Sequence, residues 1–169
     1  TTITGNVTVE DSGAISSTLM GGGGTGFSLD NSAILNSTTD LTMTNASITG
    51  FDGTGILLNS IDAVVLTNTT SSQNGKGLNA STITSFSDTD GTFNGNANGG
   101  IMLDTVNGDV TMVRTEVNDS DADMNGTGDG ITASNVTGNV LFQGINVSEV
   151  EFYIAVLAIE LVGPAGDME

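Results

Sequence analysis

Apolar residues along this chain alternate with polar ones over short stretches, and clusters of Gly, Asn, Asp, Ser and Thr separate the stretches. Val7 and Val9, Val110 and Met112, and Val140 and Phe142 each stand two residues apart, the period of a strand with one buried face. The runs are only about 3–5 residues long and turn-forming residues bound them. Before residue 150 no stretch carries a helical stripe with caps. The pattern predicts many short strands and no helix.

The same pattern repeats. Val106-Asn107-Gly108-Asp109-Val110-Thr111-Met112 is nearly rewritten as Val136-Thr137-Gly138-Asn139-Val140-Leu141-Phe142, and Ile3-Thr4-Gly5-Asn6-Val7-Thr8-Val9 opens the chain with a third copy. Ile61-Asp62-Ala63-Val64-Val65-Leu66 is a looser version, and Asp40-Leu41-Thr42-Met43 keeps its second half. Upstream of these cores a glycine precedes an apolar pair: Gly26-Phe27-Ser28-Leu29, Gly55-Ile56-Leu57-Leu58, Gly100-Ile101-Met102-Leu103 and Gly130-Ile131-Thr132-Ala133, with Gly77-Leu78-Asn79-Ala80 as the degenerate member. Spacings of roughly 22–30 residues fall in the range of stacked repeats. One such unit cannot bury its inward side chains alone; stacking neighbours buries them in one continuous column. The Gly-Asn or Gly-Asp step before the second strand suits a tight corner with φ > 0, and Asn or Asp at equivalent corners would form a hydrogen-bonded ladder.

Gly-apolar-x-apolar followed by Val-x-Gly-Asn-Val-Thr-apolar, over most of the chain, resembles the right-handed parallel β-helix repeat proteins. That pectin lyase-like superfamily spans polysaccharide-active enzymes, phage tailspikes and bacterial surface adhesins. The resemblance implies an all-β fold, a right-handed parallel β-helix (β-solenoid) of about 5–6 coils of roughly 22–30 residues. It implies little about activity, because function resides in sites carried by a fold.

Two regions stand apart. Residues 11–26 break the pattern, and Gly21-Gly22-Gly23-Gly24 predicts a long glycine-rich loop (near 20–26) between the first and second coils. Coils therefore occupy 1–150, and 151–169 form an apolar C-terminal piece. Within it Phe152, Tyr153, Ile154, Val156, Leu157, Ile159 and Leu161 read as a strand, its β-branched and aromatic content outweighing a helical spacing of Ile154, Leu157, Ala158 and Leu161. An open solenoid end exposes apolar core and unpaired backbone. This segment is expected either to cap the last coil or to join a neighbouring subunit.

Composition narrows the function. Two basic residues against 20 acidic ones leave a net charge of −18. Nucleic-acid backbones need many cations to neutralise them, so a nucleic-acid partner is excluded, and an anionic membrane surface would repel the chain. The longest apolar run, residues 152–162, is about half of what a membrane helix needs. Thr1 opens the sequence without an initiator Met or a leader. The expectation is a mature or excised piece of an extracellular, cell-surface protein.

Candidate chemistry is thin. The chain has no His and no Cys, so Ser-His-Asp and Cys-His arrangements cannot be built. Lys76 and Arg114 are the only basic side chains, and Arg114, inside a well-formed repeat, is the sole candidate proton acceptor for a lyase. Asp104 and Asp129 are the nearest to a hydrolase-like carboxylate pair, but fall out of register between neighbouring repeats. Calcium is the better chemical reading. Asp119, Asp121 and Asp123 alternate in one loop with Asn125 close behind, an oxygen cluster that a hard cation takes; Asp88-Thr89-Asp90-Gly91 is a poorer second. Sequons mark Asn36, Asn45, Asn68, Asn118 and Asn125 as candidate glycosylation sites. Ice binding would need a regular Thr-x-Thr on each coil, and Thr42-Met43-Thr44 and Thr82-Ile83-Thr84 read as isolated instances.

These observations point to a non-enzymatic structural protein: a filament, stalk or adhesin subunit whose partners are further copies of itself or other surface components. The alternative is a fragment of a polysaccharide-active or carbohydrate-binding β-helix that uses Asp residues and calcium.

Overall fold

The computed structural model of the chain describes residues 7–10, 15–16, 24–32, 38–118, 129–148, 151–156 and 160–161. Those residues are all-β, without a helix. In chain order the strands are β1 (Val7–Glu10), β2 (Ile15–Ser16), β3 (Phe27–Asp30), β4 (Leu41–Thr44), β5 (Ser47–Thr49), β6 (Thr54–Thr67), β7 (Thr70–Ser72) and β8 (Lys76–Thr89). They continue as β9 (Ile101–Val106), β10 (Val110–Val113), β11 (Glu116–Asn118), β12 (Asp129–Val136), β13 (Val140–Gln143), β14 (Asn146–Ser148), β15 (Glu151–Val156) and β16 (Glu160–Leu161). Every pairing among these strands is parallel.

The two longest strands explain the layout. β6 and β8 each turn once, at Ser60 (φ 57°) and Thr82 (φ 56°). Their first halves belong to a ribbon that runs β3, β6, β8, β9, β12, β15. Their second halves belong to a ribbon that runs β1, β4, β6, β8, β10, β13, β16. A third, narrower ribbon holds β2, β5 and β7, then β11 and β14, with Thr92 bridging Thr70 to Glu116.

Register follows the sequence repeat residue for residue. Phe27, Ile56, Leu78, Ile101 and Ile131 are successive partners in the first ribbon. Val7, Leu41, Val64, Phe86, Val110 and Val140 are successive partners in the second. Alternation then sends one set of side chains inward. Leu41, Met43, Ile56, Leu58, Leu66, Leu78, Ile101, Met112 and Val140 are fully buried in a core shared by all three ribbons. A one-residue slip would turn each inward set out to water, and each large side chain so exposed forfeits about 1.5–3 kcal/mol. The apolar spacing therefore fixes the pairing.

Left-handed residues mark the corners at equivalent places. Ser60, Thr82, Thr105 and Asn135 form one series, and Asn45, Asn68, Asp90, Arg114 and Gly144 a second. Gly50, Gln73 and Gly95 form a third. The expectation that the Gly-Asn and Gly-Asp steps supply positive φ is not met: Gly108 and Gly138 lie outside the left-handed region. Close stacking excludes a side chain there instead, since a Cβ on Gly108 would stand 2.6 Å from the Thr84 carbonyl oxygen. The expected ladder is present in part, because Ala63 and Ser85 interrupt the series between Asp40 and Asp109. Asp109 Oδ1 accepts from the Asn139 backbone N–H at 2.8 Å, Asp40 Oδ1 from the Ala63 N–H at 3.2 Å, and Asn45 Oδ1 from Asn68 Nδ2 at 2.8 Å.

Both ends of the chain are paired into the ribbons. Within residues 11–26, where the repeat pattern breaks, Ile15 and Ser16 form β2, in register with Ile48 and Thr49 of the third ribbon. A single Ile among Gly and Ser was too little apolar signal to mark it as a strand. Residues 17–23 lie outside the described residues. At the other end the apolar segment is a strand and pairs within its own chain. Phe152, Tyr153, Ile154 and Val156 are in register with Ile131, Thr132, Ala133 and Val136, and Leu161 with Phe142. Leu157 and Ile159 fall outside the described residues.

Candidate functional site

One inward column of the second ribbon breaks the apolar rule. Met43, Leu66, Met112 and Phe142 occupy successive inward positions, and between Leu66 and Met112 the chain places Asp88. Asp88 is fully buried like its neighbours. An ionised carboxylate in such a place costs several kcal/mol after relaxation, so the surroundings decide its protonation.

Three features around Asp88 do so. Thr115, itself buried, donates from Oγ1 to Asp88 Oδ2 at 2.5 Å. Gly91 leaves the space the carboxyl fills, because a Cβ there would collide with it, and the Gly91 backbone N–H donates to it. Asp88 Oδ1 has no hydrogen-bond partner. Burial pushes the carboxyl up to about 6, against the opposing pull of the Thr115 and Gly91 hydrogen bonds; the Asp90 charge adds to the rise. The buried carboxyl therefore keeps its proton to a higher pH than an exposed Asp does. Its oxygens are closed to solvent, so the carboxylate cannot meet a substrate in this arrangement.

The adjoining corner is wet. Arg114 grips Asp90 through two hydrogen bonds, Nε to Oδ1 at 2.6 Å and Nη2 to Oδ2 at 2.8 Å, with both side chains exposed. The Arg114 hydrogen bonds hold the Asp90 carboxyl below the usual range, and the same pairing raises the guanidinium. The candidate proton acceptor thus stands as a cation clamped on a carboxylate. Asp90 being so engaged, Asp88 and Asp90 do not converge on one point. Asp104 is in register with Ser134, which donates to it at 3.0 Å, while Asp129 is in register with Glu151. The two aspartates are not opposed. Lys76 lies at the start of β8, opposite Thr54.

Asp119, Asp121, Asp123 and Asn125 lie outside the described residues, as does Asn36. Among the described residues no three Asp or Glu side chains gather to hold a metal. Asn45 and Asn68 are exposed corner residues. Asn118 is half-buried in a ladder: its backbone N–H donates to Asn94 Oδ1, its Nδ2 to Glu116 Oε1 at 2.6 Å, and its Oδ1 accepts from Ser148.

A second ladder, unforeseen from sequence, is buried. Asn74 Oδ1 accepts from the Phe51 N–H, Asn74 Nδ2 donates to the Ile48 carbonyl, and the Asn74 N–H donates to Asn96 Oδ1 at 2.9 Å. Spacing alone would have found Asp88: writing Ser85-Phe86-Ser87-Asp88 beneath Ala63-Val64-Val65-Leu66 puts a carboxylate under a leucine. By the same alignment Thr82 is a corner residue, while Ser87 and Thr89 stand in register with Val65 and Thr67. Compared with family models, curated proteins and solved structures, the chain matches none of them.

Proposed function

We propose that the chain is a right-handed parallel β-helix of the pectin lyase-like kind and an extracellular structural protein, a subunit of a filament, stalk or surface adhesin that assembles through its ends. The observation that carries this reading is the edge arrangement. The ribbons begin at β1 and β3 and finish at β15 and β16, with every intervening strand paired on both sides along its path. Terminal strands of parallel sheets offer rows of N–H and C=O groups to another strand, and the apolar C-terminal strand brings the most hydrophobic stretch of the chain to one such edge. Right-handed crossovers are the rule for parallel strands joined within a sheet. A chain of net charge −18 stays soluble by self-repulsion until its ends meet.

Negative-stain microscopy with a concentration series tests the assembly. Fibres or polymers that lengthen with concentration are expected. Deleting residues 152–169 should abolish them while β-rich circular dichroism persists. A protein that stays monomeric at every concentration, or turnover of pectin, alginate or polygalacturonate lost in Arg114→Ala, would overturn the reading.

A further inference from the structure

Five Asn-Gly steps occur in the chain, and four of them are described: Asn74-Gly75, Asn94-Gly95, Asn98-Gly99 and Asn107-Gly108. Such a step carries latent chemistry, because glycine has no Cβ to shield its nitrogen from the preceding carboxamide. Two of the four are locked. Asn74 is buried with both ends of its amide bonded, and the Gly75 N–H donates to the Phe51 and Gly53 carbonyls at 2.7 and 2.8 Å. Asn94 donates to Glu116 and accepts from the Asn118 N–H, and the Gly95 N–H donates to the Asn118 carbonyl at 2.9 Å.

Asn107 is held differently. It is exposed at the corner between β9 and β10, and its carboxamide has no hydrogen bond to a described residue. The N–H of Gly108, a half-buried residue, likewise donates to none of them. The chain on either side is anchored. The Asn107 N–H donates to the Ile83 carbonyl at 2.9 Å, and the Val106 carbonyl accepts from the Thr137 N–H at 3.0 Å. Nucleophile and target therefore stand side by side without the bonds that quench the two locked steps. Asn98 is exposed too, but Gly99, whose nitrogen would attack, is buried.

We infer that Asn107 is a self-modifying site, converted without an enzyme through a succinimide to aspartate and isoaspartate. The Gly108 nitrogen gives its proton to water and forms a bond to Asn107 Cγ. The Cγ–Nδ2 bond breaks, and the amide leaves as ammonia. Water then opens the ring. Cleavage between the Gly108 nitrogen and Cγ yields aspartate; cleavage at the main-chain carbonyl carbon yields isoaspartate, with one more methylene in the backbone. Only water is consumed, and nothing is oxidised or reduced. The Thr137 N–H to Val106 bond and the Gly138 N–H to Gly108 bond, 3.0 and 3.1 Å long, straddle the site. An added methylene between Val106 and Gly108 cannot satisfy both at once, so conversion loosens the stack at this corner.

Peptide mapping by tandem mass spectrometry of the full chain, held in warm and mildly alkaline buffer, tests it. The mass change of –NH2 replaced by –OH should accumulate at Asn107 severalfold ahead of Asn98, Asn74 and Asn94. Isoaspartyl methyltransferase should label the same peptide, and amide exchange at Thr137 and Gly138 should quicken in the converted fraction. In urea the four steps should convert at similar rates, because local opening is no longer needed. Asn107→Thr, matching Thr137 at the aligned place in the next repeat, should abolish the label in that peptide and leave circular dichroism unchanged. Asn74 or Asn94 converting as fast as Asn107 in the folded chain would overturn the inference. So would an Asn107 that stays intact after a free peptide of residues 104–110 has converted.

Discussion

Replacing Asp88 by Asn should remove a dependence of stability on pH that runs opposite to the usual acid denaturation. An Asp ordinarily titrates at 3.8, and burial raises Asp88 to about 6. The folded state therefore keeps a proton that the unfolded chain gives up. Stability is greatest below the unfolded value, falls as pH climbs from about 4 to about 6, and is flat above. A rise of about two pH units corresponds to about 3 kcal/mol lost over that window, or roughly 6–12 °C in melting temperature for a chain of this size. The amide introduced by Asp88→Asn would leave hydrogens facing the space where Oδ1 has no partner, at a cost of about 1–3 kcal/mol. That cost does not vary with pH, so it cancels when two pH values are compared. Urea unfolding of both proteins from pH 4 to pH 7.5 is the assay. The difference between wild type and variant should change by about 3 kcal/mol across the series. Parallel curves would refute the buried, ionisable Asp88.

Four further outcomes follow, three from the same geometry and the last from the acidic loop read in the sequence. Ile56→Ala, at a fully buried position, should cost about 2–5 kcal/mol in denaturant unfolding. Asn74→Ala strands the Phe51 N–H and the Ile48 carbonyl and should cost about 2–4 kcal/mol, with amide exchange of Phe51 accelerated. Arg114→Ala should leave the melting temperature within a few degrees, since its pair with Asp90 stands in water; a large drop would mean that the pair is shielded from solvent. Calcium on Asp119, Asp121, Asp123 and Asn125 should raise the melting temperature and Asp121→Asn should abolish the rise; a melting temperature unmoved by chelator disposes of the site.

Much of the architecture was legible because the core is built from alternation. Val7, Val64, Val110 and Val140 align in the sequence as they pair in space, and the Gly-apolar motif aligns Phe27, Ile56, Leu78, Ile101 and Ile131 likewise. What escaped was whatever breaks alternation. Asp88 and Phe86 are in phase with Leu66 and Val64, yet a carboxylate among Ser and Thr reads as turn composition. The buried Asn74 and Asn96 look like corner residues because Asn is common at corners, and only the fold shows that these two turn inward. Gly108 and Gly138, in the Gly-Asp and Gly-Asn steps, read as positive-φ corners when close approach required them. A Cβ on Gly77 would lie 2.5 Å from the Gly100 carbonyl oxygen, a constraint between repeats that no single repeat reveals.

The parallel, in-register stack underlies the core, and spin-label distances along one outward column test it directly. Labels at Thr42 and Thr111 should lie about 14 Å apart in backbone terms, at Thr42 and Leu141 about 19 Å, and at Thr8 and Leu141 about 24 Å, one strand spacing for each repeat crossed. A steady rise of that size is the predicted result. Distances that stay level or shrink as more repeats are crossed would contradict the stack.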